Sequence, residues 1–123
     1  MIKLLHVDDE VDILDIARMS LELLGGFDVV SCLSGEKALL AAKQVTPDVF
    51  LLDVMMPGLT GPQTLAALRD IPGLADVPAI FLTASQHDRK GSELLAAGAI
   101  AVLEKPFDPL TLGDRIKALL EGQ

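Results

Sequence analysis

The amino-acid sequence predicts an α/β fold: a doubly wound, five-stranded parallel sheet with helices on both faces. Short apolar runs alternate five times with longer amphipathic runs, which is the pattern of repeated strand–helix units. The apolar runs are continuous rather than alternating, as expected of strands that are buried on both faces. The 123 residues suit one domain, 1–123, and no linker or low-complexity stretch divides them.

The first strand–helix unit shows the pattern clearly. The run from Lys3 to Val7 is mostly apolar and acidic residues follow it, so we expect a strand there. From Asp9 to Leu24 the apolar residues recur with the helical period, and Gly25-Gly26 is expected to end this helix. The apolar stripe of the helix consists of Leu14, Ala17, Leu21 and Leu24.

The other four units follow in chain order. Their strands are predicted at Phe27 to Cys32, Asp48 to Asp53, Pro78 to Thr83 and Ala99 to Leu103. Their helices are predicted from the cap residue Ser34 to Gln44, from Pro62 to before Pro72, from Asp88 to Ala97, and from Asp108-Pro109 to about Leu120. Serine and aspartate side chains cap helices, and proline suits the first helical position.

Composition excludes several classes of function. No apolar run approaches the roughly 20 residues of a membrane span, and the start of the chain turns acidic too early for a signal peptide. We therefore expect a cytoplasmic protein without a membrane partner. The net charge of −8 opposes binding to phosphates, so we expect no direct contact with nucleic acid. Cys32 is the only cysteine, which excludes an internal disulfide and favours a buried thiol.

Polar residues follow four of the predicted strands. The first strand ends in Asp8-Asp9-Glu10, the third in Asp53, the fourth in Thr83, and the fifth runs into Lys105. Ligands of open parallel sheets bind at the carboxyl ends of the strands, where these side chains should meet. Carboxylates this close repel unless a hard cation such as Mg²⁺ joins them, and one of them can then act as a nucleophile.

Simpler interpretations compete for single residues. Asp9 alone could equally be the cap of the first helix. His6 lies inside the first strand, which favours a core or rim histidine over a phosphorylated one, and His87 is expected to be solvated. The functional interpretation depends on the combination, because each side chain ends a different strand.

Four segments resemble the receiver domains of two-component response regulators. They are Val7-Asp8-Asp9-Glu10, the run from Leu51 to Gly58, Leu82-Thr83-Ala84, and Gly98-Ala99 with Lys105-Pro106-Phe107. They occur in order and span essentially the whole chain. The resemblance implies a flavodoxin-like sheet order, 2-1-3-4-5. It also implies a signalling switch rather than an enzyme. Such a switch catalyses only its own phosphorylation and slow autodephosphorylation.

The resemblance also implies roles for individual residues. Asp53 would accept a phosphoryl group from a sensor histidine kinase or a histidine phosphotransfer protein, and Thr83 and Lys105 would contact that group. Mg²⁺, or Mn²⁺, would be held by Asp9 directly, by Asp8 through water, by Asp53, and by the backbone carbonyl of Met55. The Lys105-Pro106 peptide would be cis.

The surface that transmits the signal is expected to depart from the family pattern. In the resembled family, the face of the fourth helix, fifth strand and fifth helix usually carries an effector contact or a homodimer. Many receivers have Tyr or Phe three residues before the lysine, whereas this chain has Val102. We therefore expect switching to be smaller, or to pass through Thr83 and the loop from Ser85 to Asp88.

Two other functions are weighed against the receiver. A phosphatase of the haloacid dehalogenase type also uses an aspartate after an apolar strand and Mg²⁺, but its motif is D-x-D and position 55 is Met. A flavodoxin-like carrier of FMN would need a phosphate-binding loop after the first strand, where Asp8-Asp9-Glu10 would repel the phosphate.

Overall fold

The computed structural model describes residues 1–84 and 89–123, in which strands and helices alternate as predicted. The strands are β1 (Lys3–Val7), β2 (Asp28–Cys32), β3 (Val49–Asp53), β4 (Ala79–Thr83) and β5 (Ala101–Glu104). The helices are α1 (Val11–Gly25), α2 (Gly35–Val45), α3 (Gly61–Arg69), α4 (Arg89–Ala96) and α5 (Leu112–Glu121). The predicted start of the fourth helix, Asp88, lies outside the described residues, as do Ser85 and His87.

The five strands form one parallel sheet in the order β2-β1-β3-β4-β5, which confirms the predicted order. Leu4 of β1 pairs with Val29 on one side and with Val49 on the other. The chain therefore moves outward from β1 to β2 and then returns across the sheet to β3. A crevice opens at the carboxyl ends of strands where the winding reverses in this way, here between β1 and β3.

Two apolar cores cover the two faces of the sheet. Leu5, Phe50 and Phe81 face α2, α3 and α4, whereas Leu4 and Leu51 face α1 and α5. Every residue of β3 and β4 is buried, which explains why their sequences are continuously apolar. None of the described helices combines the length and the apolar content that a membrane span requires.

The helix boundaries test the predicted caps. Ser34 caps α2 as predicted, because its Oγ accepts a hydrogen bond of 3.1 Å from the Lys37 backbone N–H. Gly26 ends α1 with a left-handed φ of 70° that suits glycine. Pro62 occupies the second position of α3 rather than the first, because Thr60 is the cap and forms a capping box with Gln63.

Two further predictions about the helices are wrong. Leu24 is exposed, because Phe27 and the α5 residue Gly113 pack against Gly25 and thereby turn Gly25 inward. The last helix begins at Leu112 rather than directly after Asp108. The Asp108 Oδ1 atom accepts a hydrogen bond of 2.9 Å from the Leu110 N–H, so this side chain closes a separate turn before α5.

Cys32 and His6 are both buried, as predicted. Burial, and secondarily the charge of Lys105, lowers the pKa of His6 to about 3, so its imidazole is neutral at physiological pH. Neither ring nitrogen has a hydrogen-bond partner among the described residues. The core interpretation of His6 is therefore confirmed.

Candidate phosphoacceptor and metal site

The carboxyl ends of four strands bring the predicted polar residues together. Asp8 directly follows β1, Asp53 and Thr83 are the last residues of β3 and β4, and Lys105 directly follows β5. Asp8, Asp53 and Lys105 continue the alternation that turns Leu4, Leu51 and Leu103 toward α1 and α5. The three side chains therefore emerge on one side of the sheet edge.

Lys105 lies between two buried carboxylates. Its Nζ is 2.8 Å from Asp8 Oδ2 and 3.2 Å from Asp53 Oδ1. Burial alone would lower the pKa of Lys105, but contact with the Asp8 carboxylate and then the charge of Asp53 raise it above the ordinary value. The lysine therefore stays positively charged and compensates for part of the negative charge at the site.

Asp53 is an unusual carboxylate because it closes a strand that is buried on both faces. Burial, followed by the charge of Asp8, raises the pKa of Asp53 to about 6, although Lys105 acts in the opposite direction. The raised pKa means that the ionised form of Asp53 is less stable than that of an exposed aspartate, because burial and the charge of Asp8 outweigh the contact with Lys105. This is the property of a functional group rather than of a helix cap or a solvated turn residue.

Three carboxylates form a group that suits a hard cation. Oxygens of Asp8, Asp9 and Asp53 all lie within 4.8 Å of one another. Mg²⁺ binds oxygen at about 2.1 Å, so opposite ligands are about 4.2 Å apart, and a small side-chain movement would bring these oxygens into range. Asp9 is exposed while the other two are buried, so the cation would lie at the mouth of the crevice.

Asp9 does not cap α1. The N-cap position belongs to Glu10, which makes no side-chain capping hydrogen bond. The Glu10 backbone N–H instead donates a hydrogen bond of 2.9 Å to Asp8 Oδ1. This contact fixes the orientation of the Asp8 carboxylate and leaves the Asp9 carboxylate to the site.

Sequence reasoning missed the role of Gly61 in shaping the site. A Cβ atom at Gly61 would lie 2.3 Å from the backbone oxygen of Asp53, a distance that no side chain can accept. The Gly61 N–H also donates a hydrogen bond of 2.8 Å to the Val54 carbonyl. Glycine therefore lets the start of α3 lie against the backbone of Asp53, and the signal in the sequence was the glycine before Pro62.

A cleft of about 530 Å³ opens beside Asp53. Its polar lining includes Asp53, Thr83 and Lys105, and it is also lined by Met55, whose side chain is exposed. Val102 lies away from this cleft, partly buried against the core on the α4 side of the sheet. Of the predicted switching route, Thr83 is described, whereas the loop from Ser85 to Asp88 lies outside the described residues.

The raised pKa of Asp53 gives a prediction about stability. The folded-state pKa, about 6, exceeds the ordinary value of 3.8, so the folded protein binds this proton more tightly than the unfolded chain does. The associated stability is present at low pH and is lost as pH rises from about 4 to 6. The shift corresponds to about 3 kcal/mol, which screening by water at the open site reduces to about 1–2 kcal/mol.

Asp53→Asn is therefore expected to raise the free energy of unfolding by about 1–2 kcal/mol at pH 7.5 and to give no gain at pH 4. Urea denaturation in EDTA at both pH values measures this difference without metal. Asp48→Asn is the control, because Asp48 directly precedes β3 whereas Asp53 ends it. An equal gain at both pH values would contradict the electrostatic explanation.

Comparisons with known proteins give matches over nearly the whole chain. A family model described as "Response regulator receiver domain" matches residues 4–117. The chain is 36% identical over 118 residues to the transcriptional regulatory protein YvrH of Bacillus subtilis, and 41% identical over 118 residues to the probable transcriptional regulator ycf27 of Guillardia theta. These alignments cover 96% of the chain but 48% and 45% of the relatives, so the chain spans about half their length.

Solved structures give the same result for the fold. The chemotaxis protein CheY4 of Vibrio cholerae superposes with a TM-score of 0.90 at 33% identity, covering 97% of this chain and 98% of that one. The receiver domain of the Francisella response regulator 1452 superposes with a TM-score of 0.86 at 30% identity, covering 99% and 98%. The similarity extends over the whole sheet and the helices that cover it.

Proposed function

The chain belongs to the response regulator receiver domain family, and from this membership we propose that Asp53 is the residue that accepts the phosphoryl group. As a receiver domain of a two-component response regulator, the chain is a signalling domain. Its proposed chemistry is the transfer of a phosphoryl group to its own carboxylate, followed by slow hydrolysis. The observation that carries the proposal is the position of Asp53, buried at a strand end with Lys105 3.2 Å away and two further carboxylates beside it.

The transfer step follows from these positions. An oxygen of Asp53 attacks the phosphorus, and the bond to the donor breaks, so the leaving group departs with its electron pair. That group is an imidazole when the donor is a phosphohistidine and acetate when it is acetyl phosphate. Hydrolysis of the resulting acyl phosphate returns the carboxylate and inorganic phosphate.

Lys105 and Thr83 would act on the transferred group. Lys105 already lies between Asp8 and Asp53, so its ammonium group can pair with a phosphoryl oxygen with little movement. Thr83 lines the same cleft and carries a hydroxyl that can donate a hydrogen bond to another oxygen. Both contacts would exist only in the phosphorylated state, which gives that state a different conformational preference.

Asp8, Asp9 and Asp53 would hold Mg²⁺ or Mn²⁺, with the backbone carbonyl of Met55 as a further ligand. The cation would neutralise phosphoryl oxygens during transfer. A group of three carboxylates fits the preference of these ions for oxygen. Asp8, whose Oδ1 is already engaged by the Glu10 N–H, would act through a bound water, leaving Asp9 to contact the ion directly.

The proposed phosphodonor is a sensor histidine kinase or a histidine phosphotransfer protein, and the proposed site of action is the cytoplasm. The curated relatives are named as transcriptional regulators and are about twice as long as this chain. We place any contact with DNA in the part of such proteins that this chain does not match, because its net charge of −8 opposes such a contact. Output through α4, β5 and α5, to an effector or a second copy, remains a prediction.

Phosphorylation by acetyl phosphate tests the proposal. With Mg²⁺, intact-mass spectrometry should show one added phosphoryl group per chain, and hydroxylamine should remove it because it cleaves acyl phosphates. A phosphatase of the haloacid dehalogenase type would instead turn over p-nitrophenyl phosphate many times per chain. No adduct together with sustained turnover would overturn the receiver assignment.

Lys105→Ala is expected to remain phosphorylated but to signal poorly, because the lysine charge acts mainly on the phosphorylated state. The affinity for an effector, or the extent of dimerisation, should no longer depend on phosphorylation. Lys43→Ala, in the last turn of α2, is the control and should keep this dependence. Intact coupling in Lys105→Ala would show that the lysine has no part in the switch.

A further inference from the structure

The cleft beside Asp53 is larger than a phosphoryl group requires. Its volume of about 530 Å³ lies within the range of pockets that bind whole small molecules, roughly 300–1,000 Å³. Asp53, Thr83 and Lys105 belong to its polar lining and are the proposed contacts of the phosphoryl group. The rest of the cleft is therefore available to the molecule that carries the phosphoryl group into the site.

Apolar residues from two segments also line the cleft, and we call them the apolar lining. The segment from β3 to α3 and the segment from β4 to the turn after α4 supply them. They are Val54, Met55, Pro62, Ala84, Leu94 and Ala97. Leu94 is 5% exposed and belongs to the core, whereas Met55 is 71% exposed. The apolar lining therefore extends from the core to the protein surface.

Two exposed carboxylates line the cleft as well. Glu10 is the N-cap residue of α1, and Glu93 lies on α4. Lys105 can compensate for the charge of a phosphoryl group, but it is already shared between Asp8 and Asp53. A second negative charge on the incoming molecule would be repelled by Glu10 and Glu93. The part of that molecule outside the phosphoryl group is therefore expected to be uncharged and apolar.

We propose that, besides a phosphohistidine protein, the phosphodonors of this site are acyl phosphates whose acyl group is apolar and larger than acetyl. The proposal rests on the proposed function of Asp53 as the acceptor. An Asp53 oxygen forms a bond to phosphorus while the bond from phosphorus to the acyl oxygen breaks. That oxygen keeps the electron pair, so the leaving group departs as a carboxylate. Its hydrocarbon chain lies against the apolar lining during the transfer.

The apolar lining acts on the rate because the chain of the leaving group is still bound in the transition state. Each methylene group that leaves water for the apolar lining stabilises the bound donor. Far below saturation, the rate depends on the free energy of the transition state relative to the free protein and the free donor. Acetyl phosphate carries only a methyl group and covers little of the apolar lining, so longer acyl groups are expected to react faster.

A series of donors tests the proposal. Acetyl, propionyl and butyryl phosphate differ only by methylene groups, and their leaving carboxylates have nearly equal basicity. Second-order rate constants are measured with Mg²⁺ by intact-mass spectrometry, and spontaneous hydrolysis of each donor corrects for its own reactivity. The rate constant should rise along the series. Butyryl phosphate should react about three- to tenfold faster than acetyl phosphate, as expected when two methylene groups are half to almost completely buried.

Variants of Ala97 test whether the apolar lining causes this preference. Ala97→Leu fills part of the cleft, and Ala97→Asp places a charge in the apolar lining. Both should lower the ratio of the butyryl to the acetyl rate constant to about one. Ala96→Leu is the matched control, because Ala96 is also exposed but lies outside the cleft lining, and it should keep the wild-type ratio. The ratio does not depend on the folded fraction of a variant, since both donors meet the same sample.

The outcomes separate this proposal from the proposed function. An adduct from acetyl phosphate together with a wild-type ratio of one or less overturns the preference and leaves Asp53 as the acceptor. A raised ratio that survives in both Ala97 variants also overturns it, because the preference would then arise outside the apolar lining. No adduct with any of the three donors overturns the proposed function and this proposal together.

Discussion

Replacing Asp53 with asparagine is expected to abolish phosphorylation by acetyl phosphate. Asparagine has nearly the same shape but its amide is not a nucleophile, so no acyl phosphate can form at position 53. Intact-mass spectrometry after incubation with acetyl phosphate and Mg²⁺ should show the unmodified mass alone. The wild type under the same conditions should carry one phosphoryl group.

Asp48→Asn is the matched control for this experiment. Asp48 precedes β3, at the amino-terminal ends of the strands. Its carboxylate accepts a hydrogen bond of 2.8 Å from the Lys3 N–H. The variant should be phosphorylated at the wild-type rate. An adduct that persists in Asp53→Asn, mapped to another residue, would refute the assignment of the acceptor.

Asp9→Ala is expected to weaken Mg²⁺ binding by at least about tenfold. Changes to groups that merely orient metal ligands already cost about 10- to 100-fold in affinity, and Asp9 is proposed to be a ligand itself. The change also removes one of three negative charges within 4.8 Å. Because the chain has neither Trp nor Tyr, isothermal titration calorimetry is a more suitable measurement than intrinsic fluorescence.

Asp12→Ala is the control for the metal experiment, because it removes the same charge three residues later, in the first turn of α1. Its Mg²⁺ affinity should stay close to that of the wild type. Equal affinities in the Asp9 and Asp12 variants would leave the metal to Asp8 and Asp53 alone and would exclude Asp9 as a ligand.

The sheet was predictable because two-sided burial leaves an unambiguous pattern. The strand from Lys3 to Val7 has the predicted boundaries, and the others differ by one or two residues. The ends of helices were less predictable, because a capping side chain can equally close a turn that is not continued. Asp108 closes such a turn, and the position of Leu24 depends on how Gly25 packs against α5, a contact between residues far apart in sequence.

That the candidate residues come together was predictable, but the electrostatic contacts among them were not. Residues at the carboxyl ends of parallel strands must meet, which brings Asp8, Asp53 and Lys105 together. Which carboxylates the lysine contacts, and that Asp8 is fully buried while Asp9 is exposed, depend on side-chain directions that no pattern encodes. The close approach of Gly61 to Asp53 is likewise a property of the folded backbone.

The bridge that Lys105 makes between Asp8 and Asp53 has a consequence for synthesis on the ribosome. Asp8 and Asp53 follow the first and third strands, whereas the ammonium group that compensates for them follows β5, the last strand of the sheet to be translated. A nascent chain that ends before β5 would bring two acids together at the rim of an incomplete sheet with no cation between them. The repulsion between those acids is relieved only once Lys105 has been added after β5, so we expect the acceptor pocket to become compact only after β5 has been made.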